Sequence, residues 1–287
     1  MKKSGTEYLG FTLIELLVVI AIIALLLAIV MPSLKAAREV SKRLFCMSSI
    51  RMLTTAWNSY ATENDGKLAE AKTADVVEVS SNPPRYNWSF TAVNPRPTWT
   101  GIWRGSVDNK NALEGAIQLG TFYPYNETLK IYRCTNHETY ARGSVQPEMA
   151  KRIRSYAIVD SMNGFYLKDN DGSVAGGVPF KKTPELTNTS KQIVFIDEGR
   201  ETSEGWTIYP DRQQWWDLPP IQHGHGGIIS CADNHAEYWK WQEEHTIEYV
   251  EYNYFQKGSA INAAQAALNN SDFNRLQMGI WGNRRGN

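Results

Sequence analysis

Cysteine is scarce: the 287 residues hold three, Cys46, Cys134 and Cys231, with no CxxC spacing. That excludes a zinc ribbon and a thioredoxin-type redox motif, both of which need closely spaced pairs. Surplus charge is missing too. Thirty Lys and Arg balance thirty Asp and Glu, so nothing in the overall balance draws the chain to nucleic acid or to an anionic surface. Catalytic signatures are also absent. There is no GxSxG elbow, HExxH, phosphate loop or GxGxxG fingerprint, and the chain does not read as an enzyme. No repeat or low-complexity segment occurs, and membrane-like apolar residues are nearly all confined to the first 31 positions.

What is present is therefore lopsided: a greasy amino end on a polar, aromatic-rich remainder. Phe11 to Met31, "FTLIELLVVIAIIALLLAIVM", is 21 residues with one charge, Glu15. As a helix it would span roughly 31 Å, about one hydrocarbon core. Lys2 and Lys3 precede it, which favours keeping that end in the cytoplasm and sending the chain outward. A secretory signal peptide would end its apolar stretch in a small-residue cleavage site. Here the run continues into Met31-Pro32, and the small residue, Gly10, stands before it. A carboxylate within lipid is costly and is retained where it has a partner.

Gly10, Phe11-Thr12, Glu15 and the apolar run up to Pro32 together resemble the class III leader of type IV pilins and type II secretion pseudopilins. The resemblance implies cleavage by a prepilin peptidase between Gly10 and Phe11, N-methylation of Phe11, and pairing of Glu15 with the terminal amine of a neighbouring subunit during assembly. It also implies a fold: α+β, with a long amino-terminal transmembrane helix packed on a mostly antiparallel β-sheet head. The expected divisions are residues 1–10 as leader, 11–62 as helix with 11–31 in the membrane, and 63–287 as a β-rich head with short carboxyl-terminal helices.

Beyond Pro32, apolar residues recur every three or four positions: Ala37, Val40, Leu44, Met47, Ile50, Leu53, Trp57 and Tyr60. That periodicity predicts a continuing helix with one apolar face. Pro32 predicts a kink or break, with Ser33 as a cap, and "ENDGKL" ends the helix with Asp-Gly turn chemistry. Lys35, Arg38, Lys42, Arg43 and Arg51 make its other face basic, whereas Glu63 to Glu78 is net acidic. Charge complementarity between subunits is the sharper reading of that contrast, against a plain solvated face. In the head, "SYAIVDS" and "QIVFIDEG" read as strands, and a hairpin is expected around Asn170-Asp171-Gly172. Long helices are expected only near the carboxyl end, in "SAINAAQAALNN" and "SDFNRLQMGIW".

"HGHGGIISCADNHAEYWKW" places His223 ten positions before Asp233. It resembles the carboxyl-terminal motif of a large bacterial family of prepilin-like proteins, His, nine residues, then Asp-Gly, and "YRCTNH" and "QIVFIDEG" follow that family's order. Asn234 stands where the family has glycine. A hairpin with Asn234 at positive φ satisfies the turn, and the structural reading of His223, Asp233 and Asn234 is preferred. The alternative gathers His223, His225, Asp233 and His235 around a metal. No metal is assigned. If the head is outside the cytoplasm, a disulfide between Cys46 and Cys134 becomes available, and Cys231 reads as a buried small hydrophobe. "KDNDGSV", Lys168 to Val174, is loosely like a calcium loop but lacks the distal Glu, so a hairpin tip is preferred and no cofactor is assigned.

The chain is thus read as a pilin-like subunit of the inner membrane, single-pass, with its head extracytoplasmic and its partners the peptidase, the membrane and other subunits. Its product would be a pseudopilus or a periplasmic or surface fibre, with type II secretion as one machine that uses such a fibre. The competing reading is a membrane-anchored protein that binds glycan or a partner protein through aromatic loops such as "DRQQWWDLPP".

Overall fold

The computed structural model describes residues 12–71, 74–81, 84–88, 101–103, 109–145, 151–152, 154–164, 177–198 and 205–284. The chain forms two compact units, Met1–Lys42 and Arg43–Asn287. Helix α1, Leu13–Glu63, contributes to both.

In the first unit the side chains from Leu13 to Met31 are largely exposed, as those of a lipid-facing helix are in the absence of lipid. Among the described residues this is the one helix long and apolar enough to cross a membrane. Pro32 does not break it: α1 is continuous through that position. Ser33 is not a cap either, because its hydroxyl donates to the Val30 carbonyl at 2.8 Å within the helix.

The second unit is built on the outer part of α1. The buried stripe begins at Cys46 and continues through Ile50, Leu53, Trp57 and Tyr60. Val40 and Leu44, predicted on the same face, are exposed. The helix stops where the turn chemistry predicted: Asp65 and Gly66 both have positive φ, and the Gly66 amide returns to the Ala61 carbonyl at 2.8 Å. Positive φ is routine for glycine and tolerated by aspartate, which explains the stop.

The main sheet has four antiparallel strands in sequence order: β4 (Tyr156–Ile158), β5 (Ile193–Asp197), β6 (Gly226–Cys231) and β7 (Ala236–Lys240). Every residue of β5 and β6 is buried, the mark of strands covered on both faces. Helix α1 reaches β6 through a hydroxyl pair, Thr54 Oγ1 to Ser230 Oγ at 2.6 Å. Helix α6 (Ser271–Trp281) reaches β5 at Gly279, where a Cβ would lie only 2.6 Å from Ile193 Cδ1. Glycine there allows the close approach of helix and strand. A smaller sheet, in the order β2 (Pro84–Trp88), β1 (Ala74–Ser81), β3 (Gly101–Trp103), precedes α2 (Lys110–Gln118) and α3 (His137–Gly143).

The hairpin expected around residue 171 lies outside the described residues. Helices α5 (Ala263–Ala267) and α6 stand where the sequence predicts them. The 12-residue α4 (Glu244–Phe255) departs from the expectation. Its β-branched and aromatic content reads as strand, yet Thr246, Tyr249, Val250 and Tyr254 are its buried residues. Their i, i+3, i+4, i+8 spacing is helical. The fold class is that predicted: α+β, a long apolar amino-terminal helix with a four-stranded antiparallel sheet.

Candidate functional site

At the amino end, Gly10 and Phe11 lie outside the described residues. Thr12 and Glu15 do not, and they form a reciprocal pair. The Glu15 amide donates to Thr12 Oγ1 at 3.2 Å, while Glu15 Oε2 accepts from the Thr12 amide at 2.8 Å and from its hydroxyl at 2.7 Å. This is a capping box, which satisfies two amides that the first turn of a helix would otherwise leave without partners. The Thr-x-x-Glu spacing that announces it is legible in "TLIE", although the family resemblance directs Glu15 only to an intermolecular role.

The second site is the core of the head, where Cys46, Cys134, His223 and Asp197 meet. Each comes from a different element. Cys46 opens the buried stripe of α1; Cys134 follows the short 3-10 turn Leu129–Tyr132; Asp197 ends β5; His223 lies in the turn before β6. The two sulfurs are 3.5 Å apart as unbridged thiols. His223 Nε2 is 3.2 Å from Cys134 Sγ and 3.8 Å from Asp197 Oδ2. Asp197 Oδ2 accepts the Ile228 amide at 2.8 Å, whereas Asp197 Oδ1 has no hydrogen-bond partner. His223 Nδ1 faces the Asn136 side-chain amide at 3.5 Å, and that amide also donates to the Gln222 carbonyl at 2.9 Å. All of these residues are buried.

Their electrostatics follow from that dryness. Hydrogen bonding to Cys134 pulls the Cys46 thiol well below its ordinary range despite burial, while burial first, and Cys46 second, pushes Cys134 well above it. Burial also raises Asp197 to about 7, partly opposed by His223. A cysteine, a histidine and an aspartate suggest a nucleophilic triad by composition, but the geometry is different. In a triad the carboxylate orients the histidine through the nitrogen opposite the nucleophile; here Cys134 and Asp197 both approach Nε2. Cys46 has no solvent exposure. A cleft of about 350 Å³, lined by Phe45, Leu129, Arg133, Cys134, Thr135 and Glu138 among others, reaches the Cys134 edge of the cluster.

His223 and Asp233 are not brought together. They sit at opposite ends of β6, roughly 20 Å apart for six strand residues. Asp233 is in the β6–β7 turn, where its Oδ1 meets the His235 amide at 3.3 Å and the His235 ring. Asn234 has φ 74° and its side chain donates to Thr55 Oγ1 of α1 at 3.0 Å. Left-handed Gly224 and His225, at φ 70° and 52°, turn the chain between His223 and His225. His225 therefore leaves His223 behind and meets Glu251 of α4 at 2.8 Å. The metal set of His223, His225, Asp233 and His235 weighed from sequence does not assemble.

Asp-containing "KDNDGSV" lies outside the described residues, as do the side chains of Trp88, Trp99 and Trp103. In "DRQQWWDLPP" Trp215 is buried and only Trp216 is exposed, packed edge-on to Tyr209 at 5.3 Å. Trp57, Trp206, Trp239, Trp241 and Trp281 are core residues.

The prokaryotic N-terminal methylation motif, as a family, matches residues 8–31, and the chain carries that motif. A membrane-length apolar helix behind it and an α+β head mark a membrane-anchored, single-pass, pilin-like protein. Over 65 residues the chain is 34% identical to competence protein ComGC of Halalkalibacterium halodurans, a match covering 23% of this chain and 64% of ComGC. No solved structure matches.

Proposed function

We propose that this chain is a structural subunit of a pseudopilus or fibre. A prepilin peptidase cuts it between Gly10 and Phe11, Phe11 is N-methylated, and helix α1 holds it in the cytoplasmic membrane with the head on the far side. Assembly proceeds by packing of amino-terminal helices between subunits, with Glu15 meeting the Phe11 amine of a neighbour. Type II secretion is one machine in which such a fibre works.

The observation that carries this reading is the methylation motif at residues 8–31 running directly into an apolar helix with no core of its own to cover it. Exposed Leu13 to Met31 needs lipid or other apolar helices as its surroundings. The capping box satisfies Glu15 within one chain, but it leaves the carboxylate charge uncompensated, so a cationic partner in the membrane remains favourable.

The test is co-expression with a prepilin peptidase and sequencing of the mature amino terminus. Cleavage before a methylated Phe11 is expected, and Gly10→Ala should abolish it. A wild-type chain left uncut, or cut within the apolar run, would refute the proposal.

A further inference from the structure

We propose that Cys46, Cys134, His223 and Asp197 form a buried binding site for a divalent metal ion of borderline softness, zinc being the natural probe. The donor atoms of Cys46, Cys134 and His223 lie within 4.8 Å of one another. The distances run in series: 3.5 Å from sulfur to sulfur, 3.2 Å from the Cys134 sulfur to His223 Nε2, and 3.8 Å from that nitrogen to Asp197 Oδ2, which makes Asp197 the outer member of the set. Zinc with sulfur at about 2.3 Å and nitrogen or oxygen at about 2.0–2.2 Å spans edges of roughly 3.4–3.8 Å, so the sulfur–sulfur and sulfur–nitrogen edges match to a few tenths of an ångström, and Asp197 turns inward to serve as the fourth ligand.

Three further observations point the same way. The Asp197 carboxylate is fully buried and its Oδ1 has no hydrogen-bond partner, a costly arrangement unless something binds it. Two thiols, an imidazole and a carboxylate are the donor types that zinc takes, and soft sulfur with nitrogen disfavours calcium or magnesium. The cleft at Cys134 supplies a route inward. A disulfide between Cys46 and Cys134 would use the sulfurs but still leave Asp197 Oδ1 without a hydrogen bond.

Cys46 and Cys134 ligate as thiolates, so their protons pass to solvent as the ion enters, and His223 binds neutral through Nε2. With ligands from α1, the 129–137 segment, β5 and the turn before β6, the ion would fasten α1 to the sheet. This site is independent of whether the chain joins a fibre.

The experiment uses the full chain, purified from membranes in detergent without a His tag or chelator. Metal analysis should give one zinc per chain, and exchange to cobalt should give thiolate-to-cobalt charge-transfer absorption with tetrahedral ligand-field bands. Non-reducing peptide mapping should find Cys46 and Cys134 unlinked. Cys46→Ser, Cys134→Ser and His223→Ala should each lose the cobalt signal, and Asp197→Asn should weaken binding while keeping the thiolate bands. Since the wild-type measurements need no variant to fold, they decide alone. Well under one equivalent of metal after zinc reconstitution, or a Cys46–Cys134 disulfide in the membrane-purified chain, would overturn the proposal.

Discussion

Glu15 has one observed role and one proposed role, which a graded set of substitutions separates. Within one chain it completes a capping box with Thr12; between chains it is proposed to face an amine. In Glu15→Gln the new side chain can still accept from the Thr12 amide, since glutamine serves at this capping-box position, but it carries no charge. Thr12→Ala does the reverse, losing the cap and keeping the carboxylate. Loss of a cap costs about 0.5–2 kcal/mol of helix stability. Removing one member of a buried ion pair costs about 3–5 kcal/mol, because the other charge is left in a dry environment. At about 1.4 kcal/mol per decade, Glu15→Gln should lower incorporation by roughly two to three and a half orders of magnitude, and Thr12→Ala by about one and a half orders or less. The assay is quantitative immunoblotting of sheared fibres against total processed subunit, with amino-terminal sequencing to show that cleavage is intact in both variants. If Glu15→Gln assembles like wild type while Glu15→Ala does not, the cap is the whole function of the residue and the intermolecular pair is refuted.

The head supplies four more tests. Arg154 and Glu198 are a buried pair at 2.9 Å, so Glu198→Ala should destabilise the head by about 3–5 kcal/mol while Arg154→Met with Glu198→Leu recovers most of it, read from urea midpoints. Asn234→Gly keeps the left-handed turn but loses the Thr55 bond, costing about 0.5–1.5 kcal/mol; Asn234→Val should cost more, because it adds strain at positive φ. Burial pushes the Cys231 thiol up to about 12, so native-state alkylation at neutral pH should leave it unlabelled until denaturant is added. Burial likewise raises Asp272 above its ordinary range; its folded form holds its proton longer, so stability declines as pH rises through the carboxylate range. Asp272→Asn should flatten that part of a midpoint-against-pH curve.

Much of the fold is legible in the sequence because periodicity reports it. Ile50, Leu53, Trp57 and Tyr60 share a helical face by spacing alone, and "QIVFID" and "GIISC" have the uninterrupted apolar character of covered strands. Val40 and Leu44 continue the same period but remain exposed, since periodicity records an apolar face and not what covers it. Helix α4 is hidden because tyrosine, valine and isoleucine carry strand preference, which tertiary packing overrides. The cluster of Cys46, Cys134, Asp197 and His223 is legible only in part. The two cysteines can be paired from sequence, but the motif attaches His223 to Asp233, and Asp197 looks like one more strand end. Their meeting depends on contacts across 88 positions for Cys46 with Cys134 and 89 for Cys134 with His223, which no local spacing encodes.

The ten-position step from His223 to Asp233 acquires a physical meaning once both ends are placed. Its span is the length of β6 with a turn at either side, and each end is fastened to α1. At the first end His223 joins Cys134, which contacts Cys46 of the helix. At the other, Asn234 bonds Thr55 and the Ala232 carbonyl accepts from Asn58 at 3.3 Å. From Cys46 to Asn58 the helix rises about 18 Å, close to the roughly 20 Å of a six-residue strand. The two elements are therefore matched in length between two anchor points. The histidine and the turn aspartate thus stand at the two ends of the strand, each beside a fastening to the helix. A residue inserted within Gly226–Cys231 would also reverse the faces of every later side chain on the strand, so one of the two fastenings must fail.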